Sequence, residues 1–520
     1  MNWDFPYASR RMPVLARNCV ATTQPLAAQA GISMLQRGGN AIDAAVATAI
    51  ALTVVEPVNN GVGSDVFAIV WNGSELVGLN ASGRSPKGWT PDRFPDAAMP
   101  HVGWNSATVP GAVSAWVALS SRFGRLPFGD LFEPAIRYAS EGFLVSPTVS
   151  AIWANQVERL HAQPGFADTF LPHGRAPGAG EHFRPPHQAE TLAIIAESGG
   201  ESFYRGRLAE AIASAAASAG AMMTADDLAA HQVTWDAPID VEFRGHRIHE
   251  LPPNGQGIAA LIALGILERL NLEDLPPDGP EMLHLQIEAL KFGAADVHAH
   301  VGDPDAMMVT AAELLEPARL DEFAGTLKPD RTVVAAPRSM NRGATVYLST
   351  ADADGRMVSL IQSNYHGFGS GVVAQGIALN NRGYCFVTKP GHPNRVGPKK
   401  RPLNTIIPGF ITKGGEPFAS FGVMGGTMQP QGHTQVVSRM LVSGQNPQAA
   451  IDAPRWRVER DEVWIEAQLP SETRRGLSDR GHNLREGTLL EFGAAQIIQR
   501  VEHGYVAGSE GRRDGCAIGL

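Results

Sequence analysis

Residues 341–371 read NRGATVYLSTADADGRMVSLIQSNYHGFGSG, and this stretch decides the fold. The β-branched and aromatic residues at 346–350 and the apolar residues at 357–361 are typical of two strands. Residues 352–355, Asp-Ala-Asp-Gly, have the composition of a turn. The sequence therefore predicts a β-hairpin with Thr345 at the start of its first strand.

A second glycine-rich stretch, 422–426, ends another predicted hairpin that spans 408–423. Glycine carries no side chain, so its backbone N–H groups can approach a reacting oxygen closely. The same stretch also suits a simple turn between a strand and a helix predicted at 431–441. Both interpretations are compatible with the sequence.

The Thr345 stretch resembles the gamma-glutamyltranspeptidase family of N-terminal-nucleophile hydrolases. The family motif is a threonine, a strand, an Asp-x-Asp-Gly turn, a second strand and Phe-Gly-(Ser/Thr)-Gly, and here the last element is residues 368–371. Residues 38–47, GGNAIDAAVA, are similar to the N-terminal signature of the family. The resemblance implies an α+β fold, a four-layer αββα sandwich that forms a single domain over residues 1–520.

The resemblance also implies self-cleavage of a zymogen at the Ala344–Thr345 bond, into a large piece, 1–344, and a small piece, 345–520. A threonine hydroxyl is a poor nucleophile until a base accepts its proton. In this class the base is the threonine's own α-amine, with a pKa of about 8, which exists only after cleavage. Self-processing is therefore expected to be the activation step, with Thr345 as the nucleophile.

Three further positions match catalytic positions of the family. Gly425 and Gly426 match the glycine pair whose N–H groups form the oxyanion hole, where one such donor contributes about 3 kcal/mol. Ser363 stands where the family has a threonine that hydrogen-bonds the nucleophile, and it retains the hydroxyl.

The resemblance implies a substrate pocket with a binder of the substrate carboxylate. A guanidinium fork suits a carboxylate, and an arginine after the strand predicted at 75–80 is expected to bind it. The family's acidic residue, which holds the substrate ammonium, is replaced by Cys385. The expected substrate-binding residues are Arg84, Tyr365, Arg382, Asn404 and Thr405.

The sequence therefore predicts a self-processing threonine amide hydrolase or acyltransferase that acts on a γ-glutamyl or similar carboxylate-bearing amide. Because Arg382 and Cys385 suit an ammonium poorly, two alternatives stay open. One is an N-acyl amide hydrolase, like the related glutaryl or cephalosporin acylases and oxamate amidohydrolase. The other is a processed but catalytically idle binding protein.

Local signals predict several other elements. Residues 41–54 are apolar all round and predict a buried helix. Residues 66–80 predict a hairpin with a two-residue Asn72-Gly73 turn. A long helix is expected at 281–301, and residues 313–339 are expected to form an exposed tether to the cleavage site.

Composition limits the partners. The 520 residues carry a net charge of −9 and show no basic stripe, which argues against nucleic-acid binding. The three cysteines, Cys19, Cys385 and Cys516, form no CxxC pair, so neither a disulfide framework nor a zinc site is indicated. We expect no cofactor and no metal, and interpret His298 and His300 as solvated or core residues.

No apolar leader or membrane-spanning stretch is apparent, so a cytoplasmic location and no membrane partner are expected. The expected partners are a small amide substrate and the protein's own cleaved subunit, in a heterodimer or a dimer of heterodimers.

Overall fold

The computed structural model describes residues 3, 10–95, 98–333 and 343–520. The hairpin predicted at Thr345 is present as strands Ala344–Ala351 and Met357–Tyr365, which pair antiparallel with an irregularity between Ala344 and Val346. Both strands run further than predicted. The first begins before the buried Thr345, and the second continues through the buried polar residues at 362–364, which lie within the sheet and are not exposed to solvent.

The hairpin forms the centre of a seven-stranded antiparallel sheet, here called sheet 1. The predicted cleavage site therefore lies on a central strand with a neighbour on each side. In spatial order its strands are Cys516–Gly519, Cys19–Thr22, Ala344–Ala351, Met357–Tyr365, Asp65–Trp71, Leu76–Asn80 and Thr234–Asp236.

A second seven-stranded antiparallel sheet, sheet 2, holds the hairpin that ends at the glycine pair. In spatial order its strands are Val14–Ala16, Gly504–Ser509, Ala494–Val501, Glu416–Met424, Gly409–Lys413, His246–Glu250 and Ile239–Phe243.

The two sheets face each other across a shared apolar core that includes Phe67, Tyr347, Phe410 and Ile498, all fully buried. A larger core lies between sheet 1 and the first helices of the chain. A third core lies between sheet 2 and three long helices near the middle and end of the chain. The four layers are helices, sheet 1, sheet 2 and helices, which confirms the predicted αββα sandwich.

The helices against sheet 1 include Pro25–Gln36, Ala41–Val55, Ala112–Phe123, Glu133–Glu141, Gln188–Glu197 and Arg207–Ser218, and those against sheet 2 include Ile258–Glu268, Pro280–His300 and Met428–Leu441. The shorter helices are Pro147–Ala154, Val157–Leu160, Phe166–Phe170, Glu201–Arg205, Ala225–Ala229, Ala311–Leu314, Pro317–Thr326, Pro447–Asp452 and Ser471–Asp479. Small sheets are formed by Trp456–Glu459, Glu462–Ile465 and Asn483–Glu486, by Val373–Ala374 with Ile377–Ala378, and by Phe143–Leu144 with His182–Phe183.

The predicted buried helix is confirmed as Ala41–Val55, with every residue buried. Its N-cap, Asn40, accepts hydrogen bonds from two backbone N–H groups of the first turn, as capping requires. The prediction of a two-residue turn at Asn72-Gly73 is wrong. The Asn72 side chain accepts hydrogen bonds from the N–H groups of Ser74 and Glu75, which extends the loop to four residues.

The predicted tether contains the helix Pro317–Thr326, and its residues 334–342 lie outside the described part of the chain. Among the described helices, none combines the length and the apolar character that crossing a bilayer requires.

Candidate active site

Thr345 lies buried at the irregularity in the first strand of the hairpin. Its hydroxyl donates a hydrogen bond to Ser363 Oγ over 3.2 Å. Ser363 Oγ donates in turn to the carbonyl oxygen of Ala344 over 2.6 Å and accepts from the N–H of Tyr365 over 2.8 Å. One serine hydroxyl therefore links the predicted nucleophile to the carbonyl that the nucleophile would attack.

The glycine pair lies between the end of strand Glu416–Met424 and helix Met428–Leu441. Gly425 and Gly426 have φ of 129° and 64°, in the region that glycine adopts without steric cost. A Cβ built on Gly343 would lie 2.9 Å from Gly426 Cα. The residue two positions before Thr345 therefore packs directly against the predicted oxyanion hole.

A cavity of about 270 Å³, here called the apolar cavity, opens beside these groups. Gln256 joins its wall to the glycine pair, because its Nε2 donates to the carbonyls of Gly426 (2.8 Å) and Thr405 (2.7 Å). None of the described residues that line the cavity is Asp, Glu, Lys or Arg. Its lining includes Ala259, Val297, Tyr365, Cys385, Phe386 and Thr405.

Arg382 is fully buried behind Tyr365 and does not line the apolar cavity. Its Nη1 donates to Thr405 Oγ1 over 2.8 Å, and its Cζ lies 4.5 Å from the centre of the Tyr365 ring. Its Nε lies 3.6 Å from Asp65 Oδ2. Its charge is therefore directed to Asp65. Arg382 was expected to bind substrate, but its side chain does not reach the apolar cavity.

Asp65 is a member of the site that the sequence analysis missed. Burial raises its pKa to about 6, while Arg382 and hydrogen bonds from Gly83 N and Asn404 Nδ2 act in the opposite direction. Asn404 thus turns toward this carboxylate. The available signal was local: Asp65 is the one charged residue of an otherwise apolar strand, Asp65–Trp71.

The structure does not bring Arg84 to the apolar cavity. Its side chain is 41% exposed, and its Nη1 lies 3.0 Å from Asp303 Oδ2 and donates to the carbonyl of Lys399. An Asp303 carboxylate already occupies the position that a substrate carboxylate would need. Carboxylate binding by Arg84 stays a prediction.

Cys385 does line the cavity, at the position where the family has an acidic residue. Burial raises the pKa of its thiol, although Arg382 Nη1, 3.8 Å from the sulfur, acts in the opposite direction. The thiol is therefore neutral at pH 7 and supplies no negative charge to this wall.

A second cavity of about 280 Å³, here called the arginine cavity, opens beside Ala344. It is lined by Gly343 and Ala344, by His101 and His366, and by two arginines, Arg159 and Arg513. Neither arginine could be predicted from the sequence, because each lies far along the chain from the Thr345 motif.

His284, Glu288 and His482 lie close enough together to suggest a metal site, with candidate ligand atoms within 4.8 Å of one another. Lys291 Nζ lies 2.6 Å from Glu288 Oε1, and His284 Nε2 lies 2.7 Å from the carbonyl oxygen of Lys328. The Lys291 ammonium thus occupies the position beside Glu288 that a metal ion would need. We therefore interpret these residues as a structural cluster.

Comparison with known proteins agrees with this geometry. The family described as gamma-glutamyltranspeptidase matches residues 27–520. The chain belongs to this family. Its members and structural neighbours make it an N-terminal-nucleophile amidohydrolase, and the resemblance inferred from the Thr345 stretch is confirmed.

Relatives within the family carry different names. The chain is 37% identical to the glutathione hydrolase-like YwrD proenzyme of Bacillus subtilis, over 97% of this chain and 98% of the relative. It is 34% identical to the oxamate amidohydrolase proenzyme of Klebsiella pneumoniae, over 95% and 97%. The crystal structure of a cephalosporin acylase from Bacillus halodurans matches with a TM-score of 0.96 and 44% identity, covering 100% of this chain and 99% of that one.

Proposed function

We propose that this protein is a self-processing threonine amide hydrolase that cuts its own Ala344–Thr345 bond and then hydrolyses a small amide through an acyl-enzyme. The observation that carries the proposal is the hydrogen-bonded chain from Thr345 Oγ1 through Ser363 Oγ to the Ala344 oxygen. It provides a path for the proton that the attack must move.

In self-cleavage, Thr345 Oγ1 bonds to the carbonyl carbon of Ala344. Its proton passes to Ser363, while the Ser363 proton passes to the Ala344 oxygen, so no charge builds up in the buried site. Collapse re-forms the carbonyl, breaks the C–N bond and transfers the hydroxyl proton to the departing nitrogen, which leaves an ester and a free α-amine. Water then hydrolyses the ester and releases the Ala344 carboxylate.

Cleavage also prepares the site for external substrates. The new α-amine of Thr345 becomes the base for its own hydroxyl. Departure of Gly343 exposes Gly426, whose N–H, with that of Gly425, can then bind the oxyanion of an incoming amide. One event thus supplies both the base and access to the oxyanion hole.

The two pieces, 1–344 and 345–520, are expected to stay together as one folded unit. Strand Ala344–Ala351 pairs with Cys19–Thr22 of the large piece, and Met357–Tyr365 pairs with Asp65–Trp71. Proenzyme relatives are consistent with a cleaved heterodimer. Further assembly into a dimer of heterodimers and a cytoplasmic location stay predictions.

The apolar cavity favours a substrate whose acyl half carries no ammonium. A γ-glutamyl group brings an α-ammonium, and desolvating an unpaired charge costs several kcal/mol. Tyr365, Cys385 and Thr405 line this cavity at positions that the family uses for the acyl half, and none of them is anionic. The cephalosporin acylase and oxamate amidohydrolase relatives support an acyl specificity other than γ-glutamyl.

A burst experiment separates this enzyme from an idle binding protein. Processed protein mixed with an acyl p-nitroanilide should release one equivalent of p-nitroaniline per site, followed by slower turnover if deacylation limits the rate. The Thr345→Ala variant should release none. Processed protein that releases no p-nitroaniline from γ-glutamyl, glutaryl, butyryl or oxamoyl anilides would contradict the proposal.

A further inference from the structure

The arginine cavity contains a guanidinium that no carboxylate neutralises. Arg159 Nη2 donates to the carbonyl of Gly367 (2.6 Å) and to Gln156 Oε1 (2.9 Å), and Nη1 donates to the carbonyl of Gly369 over a longer 3.4 Å. Within the described residues, no Asp or Glu oxygen lies within ion-pair distance of Arg159, and Nε donates to no protein atom. Part of the fork therefore remains available to a ligand.

Arg159 keeps its charge in this place. Burial lowers its pKa to about 10, which still leaves it protonated at pH 7. Burial, with Arg159 as the second cause, lowers the pKa of His101 to about 4, so this ring contributes no competing positive charge. A partly buried and unneutralised guanidinium is costly to maintain unless a ligand compensates for it.

Arg513, the other arginine of the cavity, is in a different position. Its Nη1 and Nη2 donate to the carbonyls of Arg512 and Leu490. It also lies in the field of the Glu510 and Glu56 carboxylates. The surrounding protein thus compensates its charge, which leaves Arg159 as the attractive group for an anion.

The position of the cavity identifies which half of the substrate it faces. In the uncut chain the nitrogen of Thr345 is bonded to Ala344, and Ala344 lines the arginine cavity. After cleavage that nitrogen is the α-amine, which must return its proton to the departing amine of the substrate. Departure of Ala344 opens the arginine cavity next to this α-amine, while the acyl half fills the apolar cavity beyond Tyr365. The amine half is therefore directed into the arginine cavity.

We propose that the arginine cavity binds the amine half of the substrate through Arg159 and that this half carries a carboxylate, as in an N-acyl amino acid. This inference rests on the proposed function, and it assigns the carboxylate of the substrate to Arg159. The planar guanidinium matches the geometry of a carboxylate. The partial burial of Arg159 strengthens the attraction between the two charges.

Two other roles for Arg159 can be distinguished from this one by their effect on substrate preference. As a purely structural latch on the carbonyls of Gly367 and Gly369, it would affect all substrates equally. Alternatively, the new carboxylate of Ala344 could occupy Arg159 after cleavage, and the cavity would then not select among substrates.

The test uses processed protein and two anilides with the same butyryl acyl group. One is the 4-nitroanilide and the other is the 3-carboxy-4-nitroanilide, which adds a carboxylate to the amine half alone. We expect kcat/KM to favour the carboxylated compound by about tenfold or more, and the ratio to fall to about one in Arg159→Gln. The matched control is Arg207→Gln, which removes an exposed arginine paired with Glu190 and should keep the wild-type ratio.

A second variant covers the case in which Arg159→Gln fails to fold. Ile152→Glu, at another position that lines the cavity, supplies an internal carboxylate for Arg159 and should also abolish the preference, whereas Ile152→Gln should keep it. A wild-type ratio of about one would overturn the inference and favour occupation by Ala344. A wild-type preference unchanged in both Arg159→Gln and Ile152→Glu would overturn it as well.

Burst release from the uncarboxylated anilide keeps the two proposals apart. If the burst is present and the preference is absent, the role of Arg159 is wrong while the proposed function stands. If no anilide releases p-nitroaniline, the proposed function itself fails.

Discussion

The hydroxyl of Ser363 donates a 2.6 Å hydrogen bond to the carbonyl oxygen of Ala344. The same hydroxyl accepts a hydrogen bond from Thr345, so the attacking and the attacked group share one side chain. In the uncut chain, the carbonyl is thereby polarised and the nucleophile is held beside it. These are the two conditions that an intramolecular acyl shift requires.

Ser363→Ala should therefore slow self-cleavage by about 100-fold, the typical cost of losing one donor to a developing oxyanion. Ser363→Thr retains a hydroxyl and should cleave at a rate closer to that of the wild type. The uncut fraction, followed by intact-protein mass spectrometry after purification, measures this directly. Ser363→Ala protein that is cut as fast as the wild type would show that the hydrogen bond is incidental.

Substrate preference tests the charge of the apolar cavity. We expect kcat/KM to be higher for glutaryl-p-nitroanilide than for γ-glutamyl-p-nitroanilide. Only the latter places an ammonium in a cavity whose described lining holds no carboxylate and where the Cys385 thiol is neutral. Cys385→Asp should shift the preference toward the γ-glutamyl compound, whereas Cys385→Ser should not. A wild-type preference for γ-glutamyl of about 100-fold, or about 2.7 kcal/mol, would mean that another acidic residue holds the amine.

The Asp65–Arg382 pair is expected to be important for stability. Asp65→Asn leaves a fully buried guanidinium without its carboxylate, and breaking such a pair costs about 3–5 kcal/mol. Urea unfolding at pH 8, in the uncut Thr345→Ala background, measures the loss on a single chain. Asp130→Asn, which breaks an exposed pair with Arg37, should cost under about 1 kcal/mol. Equal effects of the two substitutions would refute the importance of burial here.

The buried carboxylate of Glu510 is expected to make the folded protein less stable in acid. Burial alone would raise its pKa, but Arg455 and Arg512 outweigh burial and lower it from the model-compound value of 4.5 to about 2. The ionised form is thus favoured by folding. Its contribution is fully present above pH 4.5 and is lost as the pH falls toward 2, by roughly 3 kcal/mol in all.

The measurement is the free energy of unfolding at pH 5 and pH 3, again on the uncut Thr345→Ala chain. The decrease between these two values should be smaller in Glu510→Gln than in its parent. Identical decreases would show that other carboxylates dominate the acid response.

Local sequence signals were sufficient for the hairpin at Thr345, the glycine pair and the buried helix Ala41–Val55, since strand, turn and capping preferences act over a few residues. The Asp65–Arg382 pair was not predictable in this way, because its members lie on distant segments that only the fold brings together. Arg159 has no local signal either, since it lies on a four-residue helix, Val157–Leu160.

The direction in which a side chain points also could not be predicted from the sequence. Arg84 follows the predicted hairpin as expected, but its side chain points to Asp303, and sequence spacing carries no information about that partner. Asn404 and Thr405 are adjacent in the chain, yet one contacts Asp65 and the other lines the apolar cavity. Adjacent residues in an extended segment point to opposite sides, and only the structure tells which side holds the cavity.

The most direct test of the account is the mass of the purified protein and of its Thr345→Ala variant. We expect two fragments for the wild type, the smaller one beginning with a free Thr345 and ending at Leu520, and amide hydrolysis only by cleaved protein. For Thr345→Ala we expect one intact, inactive chain. An intact wild-type chain that hydrolyses amides, or an active Thr345→Ala variant, would contradict it.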